Sequence, residues 1–391
     1  MGCAGRESGG RGEKTVSRRS ALGLNGWVAL ALAGLLAACG SSPRPKPAEL
    51  GSVTVQQDLQ KTWSFALGAL DFPMTPAVTP NLIGVASSQG TLHVLDARNG
   101  QESWRAQVGA PLSAGVGSDG ERFAVVTRSN ELVTLQAGKV LWRQKLPAQS
   151  FTPPLVAGQR VFVLMADRSV MGLDGATGRI LWTQQRPGEP LVLRQSGVLL
   201  PVNDTLVAGL SGRLVGLNPT TGALRWDAPL ATPRGTNDLE RLVDIVAPVS
   251  RVGDSVCARA FLAQVGCVNA ARGGVQWTRS AVSDQGLSGN SNLLVGTESN
   301  GVVTTWQRST GERVWETDRL RYRRLSAPLV TEKGVLVADE AGFIYLLSLT
   351  DGALLNRITL DGDALISAPQ AMGAGFLMVS RKGLVQSMRF P

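Results

Sequence analysis

The 391-residue chain has little of what most catalytic and metal sites are built from. It holds one histidine, His93, and four scattered cysteines, Cys3, Cys39, Cys257 and Cys267. That scarcity excludes a His/Cys-rich zinc site and a dense disulfide scaffold. Charged residues make up 18% and aromatic residues 5%, against 43% hydrophobic residues. So few charges at that apolar content exclude a largely disordered chain. Apart from residues 21–38, no apolar run approaches the roughly 20 residues that a membrane-spanning helix needs. GxSxG, HExxH and phosphate-cradling glycine loops are absent, and no acid–base pair stands out. The expectation is a non-enzyme with no catalytic residue, cofactor or metal.

What is present begins at the amino terminus. Arg6, Arg11, Lys14, Arg18 and Arg19 precede the apolar run of residues 21–38, and Cys39 follows it. A basic segment, an apolar core and small residues before a cut describe an export signal. Leu36-Ala37-Ala38-Cys39-Gly40 resembles a bacterial lipobox, which implies acylation of Cys39 and loss of residues 1–38. An uncleaved anchor helix fits the small residues at 37 and 38 less well. Arg18-Arg19 fits an ordinary basic flank better than a twin-arginine signal, because the rest of that motif is poor. Removing five basic and two acidic groups lowers the net charge from +9 to +6, spread along the chain. No nucleic-acid partner is expected from so diffuse a balance.

Pro43, Pro45 and Pro47 favour an extended polyproline II tether over residues 39–52, reaching up to ~45 Å. In lipoproteins of this kind, Gly40 rather than Asp after the acylated cysteine implies sorting to the outer membrane, with the body facing the periplasm. Three acyl chains would make that attachment to outer-membrane lipid stable.

Glycine is abundant, with 46 residues, and so is tryptophan, with nine. The two recur together as Gly-x-x-x-Trp, beginning at Gly100 with Trp104, Gly138 with Trp142 and Gly178 with Trp182. Gly222 with Trp226, Gly273 with Trp277 and Gly311 with Trp315 continue the series, and Gly352 closes it with Asn356 in place of Trp. Successive glycines lie 38, 40, 44, 51, 38 and 41 positions apart. Each unit has room for four short strands. In residues 325–360, apolar runs at 325–330, 335–338, 343–349 and 353–360 alternate with Gly/Asp turns. Four antiparallel strands per roughly 40 residues is the signature of a propeller blade. The tryptophans are read as structural, each covering the flank of the next blade.

Trp63 has no strands before it, and the carboxyl end offers three strands at 366–371, 375–380 and 384–390 with no fourth. Pairing the amino-terminal strand with the carboxyl-terminal blade gives an all-β, eight-bladed propeller over residues 53–391, closed on itself. Seven blades is the alternative count.

The Asp-x-x-Thr-Gly-x-x-x-Trp form at residues 174–182 resembles the repeat of pyrroloquinoline-quinone (PQQ) enzymes. A PQQ-dependent dehydrogenase would also need calcium-binding acidic and amide side chains, and often a disulfide between adjacent cysteines. No adjacent pair exists here. Lipobox and eight repeats together resemble the BamB family, lipoprotein subunits of the outer-membrane β-barrel assembly (BAM) machinery. The scaffold of another envelope complex is a further alternative. Leu191-Val192-Leu193-Arg194 matches the family's Leu-x-Leu-Arg, and Arg241-Leu242-Val243-Asp244 resembles its Arg-Leu-x-Asp. The resemblance implies that Leu191, Leu193, Arg194, Arg241 and Asp244 bind the POTRA domains of the barrel-forming subunit. Nascent outer-membrane proteins are a second candidate partner. Val246 stands where the family often has another Asp.

Loop lengths point to the same place. The spacing of 51 is about ten above the usual, and the excess falls in residues 227–246; residues 187–197 are the equivalent connection one blade earlier. Such connections emerge side by side on one face, and long loops on one face of a repeat protein mark its binding side. An internal Arg194–Asp244 pair is the competing expectation. Cys257 and Cys267 should lie on neighbouring strands. A two-residue turn would point them to opposite faces and leave free buried thiols, the preferred reading; a three-residue turn would permit a disulfide. His93 is expected as a strand residue, and the cluster Arg319, Arg321, Arg323 and Arg324 as a solvated loop rather than a lipid contact.

Overall fold

Short runs rich in Val, Leu and Ala, cut every few residues by turns in the left-handed region, leave no length for helices. The computed structural model describes residues 45–186, 192–233, 236–237, 241–361 and 363–391; the expected signal, Cys39 and Leu191 lie outside them. The described residues form strands β1 (Gln60–Ala66) to β32 (Leu384–Arg389) and no helix. These make eight four-stranded antiparallel sheets, the blades of a closed propeller. Blade 1 runs from β2 (Ala77–Val78) to β5 (Glu102–Gln107), and blade 2 from β6 (Leu112–Ser118) to β9 (Lys139–Lys145). Blade 3 spans β10 (Leu155–Ala157) to β13 (Ile180–Gln184), and blade 4 spans β14 (Leu199–Val202) to β17 (Leu224–Pro229). Blade 5 spans β18 (Ile245–Val252) to β21 (Gly274–Ser280), and blade 6 spans β22 (Leu287–Gly289) to β25 (Arg313–Thr317). Blade 7 spans β26 (Leu329–Val330) to β29 (Leu354–Thr359). Blade 8 joins β30 (Gln370–Met372), β31 (Gly375–Val379) and β32 to β1, which pairs antiparallel with β32 as the outer strand. The expected closure and the count of eight are both present.

The inner strands are shorter than the apolar runs suggest. β26 covers two residues where 325–330 is apolar, because Pro328 has no N–H for the ladder. Leu325 still reaches Asp339 as an isolated bridge, and the Ser326 hydroxyl accepts the Ala338 N–H at 3.1 Å.

The blades are joined by tryptophan. The indole N–H groups of Trp63, Trp142, Trp182, Trp277 and Trp315 donate to carbonyls of the following blade. Their acceptors are Ala97, Gly175, Pro219, Arg308 and Leu349, at 3.2, 3.0, 3.1, 2.7 and 2.8 Å. Each ring lies on the glycine of the next blade's turn between third and fourth strands. At Gly178 the φ angle is +73°, and a Cβ there would come 2.6 Å from the Trp142 ring. Glycine is required twice over, for conformation and for space. Asp174 shapes the same turn by accepting the Thr177 hydroxyl at 2.8 Å and the Thr177 N–H at 2.9 Å. Those bonds hold its carboxyl below the usual range.

Two readings are corrected. Cys257 on β19 (Ser255–Ala260) and Cys267 on β20 (Gln264–Asn269) are disulfide-bonded, not free thiols, with Cα atoms 4.0 Å apart. The intervening turn has three residues, Phe261, Leu262 and Ala263, so Cys257 and Cys267 stand opposite each other. In the arginine cluster, Arg323 is withdrawn from solvent and pairs with buried Asp339 at 2.9 Å, while Arg321 pairs with Asp318 at 3.6 Å. His93 is a β4 (Thr91–Asp96) residue, as expected, bonded to Glu102 at 2.6 Å.

Trp142→Ala removes one seam indole and is expected to lower unfolding stability by about 3–5 kcal/mol, read from a urea transition. An unchanged midpoint would mean that the seam does not depend on the ring.

Candidate partner-binding face

In a propeller blade, the turn between the second and third strands and the connection to the next blade both emerge on one face. The connections β13–β14 and β17–β18 are therefore neighbours there. Residues 187–191, 234–235 and 238–240 of these connections lie outside the described residues, and with them Leu191.

Asp244 fastens the rest together. Its Oδ2 accepts the Leu193 N–H at 3.2 Å, and its Oδ1 lies 3.4 Å from Arg168 Nη2. Arg168 sits at φ +63° in the turn between β11 (Arg160–Leu164) and β12 (Val170–Asp174) of blade 3. The pair is well withdrawn from water, with side chains 9% and 18% exposed, so the two charges offset one another where solvent does little. Further bonds clamp residues 195–197. Gly197 N–H donates to Thr152 Oγ1 at 3.0 Å, Ala247 N–H to Ser196 O at 3.2 Å, and Gln195 Nε2 to Asp284 O at 3.2 Å. One continuous surface thus spans blades 3 to 6.

The competing arrangement, an internal Arg194–Asp244 pair, is not formed. Asp244 is held by Arg168 instead, and the exposed Arg194 places its guanidinium 5.9 Å from the centre of the Phe151 ring, in cation–π range. Leu193 is half-buried beside a cleft lined by Phe151, Leu164, Met165, Leu210 and Ile245. Arg241 is exposed, and its N–H donates to Asn237 O at 3.2 Å. Val246 is fully buried on β18, so this chain presents no second acid there. The structure brings Leu193, Arg194 and Asp244 together. Sequence reasoning missed Arg168 and Phe151, because neither belongs to the repeat motif and their partners lie far along the chain.

The residues do not fit a quinone with calcium. Among the described residues, no three His, Cys, Asp or Glu side chains converge to hold a metal ion. The buried Tyr345 hydroxyl donates to Asp339 at 2.8 Å, and burial followed by that carboxylate pushes its pKa up. With Arg323 on the same carboxylate, the three form an internal strut rather than a site open to substrate.

A family profile described as outer membrane protein assembly factor BamB matches residues 88–317. The chain is 33% identical over 369 residues to the outer membrane protein assembly factor BamB of Burkholderia pseudomallei, covering 93% of this chain and 97% of that protein. To the protein of that name from Bordetella pertussis it is 31% identical over 371 residues, covering 92% and 96%. The crystal structure of BamB from Moraxella catarrhalis superposes with a TM-score of 0.78 at 24% identity, covering 85% of this chain and all of that one. At that identity the likeness concerns the fold.

Asp244→Ala leaves Arg168 without its carboxylate and the Leu193 N–H without its acceptor. Amide exchange at Leu193 is expected to speed up at least about tenfold, the equivalent of ~1.4 kcal/mol. Unchanged protection would mean that the loop is held without Asp244.

Proposed function

The chain belongs to the BamB family of outer membrane protein assembly factors, and from that premise we propose that it is a non-catalytic, lipid-anchored subunit of the BAM machinery. It binds the POTRA domains of the barrel-forming subunit and supports assembly and insertion of outer-membrane proteins. Leu191, Leu193, Arg194 and Arg241 meet that partner, while Asp244 keeps the surface in shape. Acylated Cys39 holds the propeller at the outer membrane, facing the periplasm.

The observation that carries this reading is the fastening of two connections, one of them elongated, into one surface that leaves Arg194 exposed. A pre-ordered loop loses little entropy on docking, and an apolar side chain next to an oriented guanidinium is hot-spot chemistry for a protein partner. Nascent outer-membrane strands are the second partner. The outermost strands of blades 2 to 6 keep Leu141, Ile180, Leu224, Val275 and Val314 exposed along unpaired backbone edges. Such edges accept an added strand.

Leu193→Glu with Arg194→Glu is expected to abolish co-purification with the barrel-forming subunit while the circular dichroism spectrum stays unchanged. Undiminished co-purification would move the docking surface elsewhere on the propeller. Mass spectrometry of the mature protein is expected to begin at a triacylated Cys39; an unmodified cysteine, or a retained signal, would remove the membrane attachment.

A further inference from the structure

The seventh repeat has Asn356 where the others have Trp, and the chain ahead of the ring explains why. A seam indole needs the glycine turn between the third and fourth strands of the next blade. Blade 8 has no such turn, because its third and fourth strands, β32 and β1, come from opposite ends of the chain. Asn356 instead donates from Nδ2 to Gln57 O at 2.8 Å, beside the bond from Gln56 N–H to Leu355 O at 3.0 Å. Leu59 enters the apolar cluster of this seam with Leu336, Phe376 and Met388.

Upstream of these contacts the chain stays on the propeller. Gly51 O accepts Arg357 Nη1 at 3.2 Å, and Leu50 packs against the cluster of Trp315, Leu320 and Leu347. Ala48 is gripped at both ends, its N–H donating to Arg321 O at 2.9 Å and its carbonyl accepting Arg323 Nη2 at 2.8 Å. Arg323 is itself fixed by Asp339. These contacts lie at opposite ends of blade 7. Arg321 and Arg323 belong to the connection from blade 6 to blade 7, the same type of connection that carries Leu193 and Asp244. Leu355 and Asn356 stand at the start of β29, next to the turn on the opposite face.

We propose that residues 48–57 form a strap that crosses the height of the blade, so that the tether leaves the propeller on the face bearing Leu193 and Arg194. A chain released at Gln57 would leave from the other face, on the order of 20 Å away for a strand of about six residues. Only nine positions separate Cys39 from Ala48, a span of at most ~30 Å when extended. Resting on the proposed acylation of Cys39, the strap fixes only the start of the lipid tether, on the side of the ring that carries the docking loops. Polar bonds to backbone atoms, with Leu50 as one apolar pin, make the segment a docked element rather than part of a sheet.

The test uses the full acylated chain in detergent, with spin labels on Glu49→Cys paired with Glu340→Cys on the loop face or Thr350→Cys on the opposite turn of blade 7. Narrow distance distributions are expected, with the Glu340 pair shorter by roughly 10 Å or more, half or more of that blade height. Adding Leu50→Asp and Asn356→Ala should broaden both distributions. Leu50→Asp alone lies outside the sheets and serves as the variant that keeps the ring intact. Broad and equal distributions in the parent chain, a reversed order, or distances unmoved by the strap substitutions would each overturn the proposal. The labels lie within the propeller, so these distances do not depend on the lipid. A third label counted by mass spectrometry would mark an unacylated Cys39 and speak against the anchor alone.

Discussion

The propeller depends on an indole laid against a glycine in the next blade. Each tryptophan brings a large apolar area to a seam where two sheets would otherwise meet through small aliphatic side chains. At five seams its N–H is satisfied by a carbonyl of the same neighbouring blade, whereas Trp226 Nε1 is buried without an acceptor among the described residues. The glycine is equally constrained, since any Cβ at Gly178 would collide with the Trp142 ring. A blade is therefore stable only beside its neighbours, as in other repeat architectures. Closing the ring through β1 and β32 removes the end blades that an open array would have to cap.

That constraint is also why the fold was legible. A contact that fixes two residue types four positions apart, once per blade, writes itself into the sequence at every repeat. Even its failure was informative, since Asn356 falls at the one seam where the following blade is built from two chain ends. Local geometry without such a signature was not legible. Leu262 adopts φ +50° in the three-residue turn that sets Cys257 against Cys267. A leucine carries no mark of that conformation, and the shorter turn was the natural assumption, which put the thiols on opposite faces. The brevity of β26 follows from Pro328, whose effect on an inner strand depends on where the ladder needs donors.

The candidate site divides along the same line. Loop length and the Leu-x-Leu-Arg stretch pointed to the candidate surface, because insertions between blades collect on one face whatever their sequence. The contact that shapes the surface joins Arg168 to Asp244, 76 positions apart and on elements with no shared periodicity. Nothing in a repeat pattern encodes such a pair. Its presence changes how Asp244 is understood. A withdrawn carboxylate that accepts a backbone N–H and faces a guanidinium acts on its own loop first, so its loss would loosen the backbone at Leu193.

The buried charges follow a related logic. Arg259 has no exposed side-chain surface and meets Glu298 with two nitrogens at 3.2 and 3.0 Å, its guanidinium 6.0 Å from the centre of the Trp306 ring. Arg323, Asp339 and Tyr345 form a second such group, and Arg308 a third, its Nε on Asn290 O at 2.6 Å and its Nη1 on Cys257 Sγ at 3.2 Å. Burial lowers the Arg308 pKa, yet the backbone carbonyl gives its proton a fixed partner. Each group joins strands from different blades or different turns, and its polar atoms are largely occupied by one another. Side chains engaged in this way hold blades in register but have little freedom to bind, polarise or protonate anything else. The loops and outer edges, where Arg194 and the exposed apolar residues of blades 2 to 6 stand, keep side chains that are not engaged in this way.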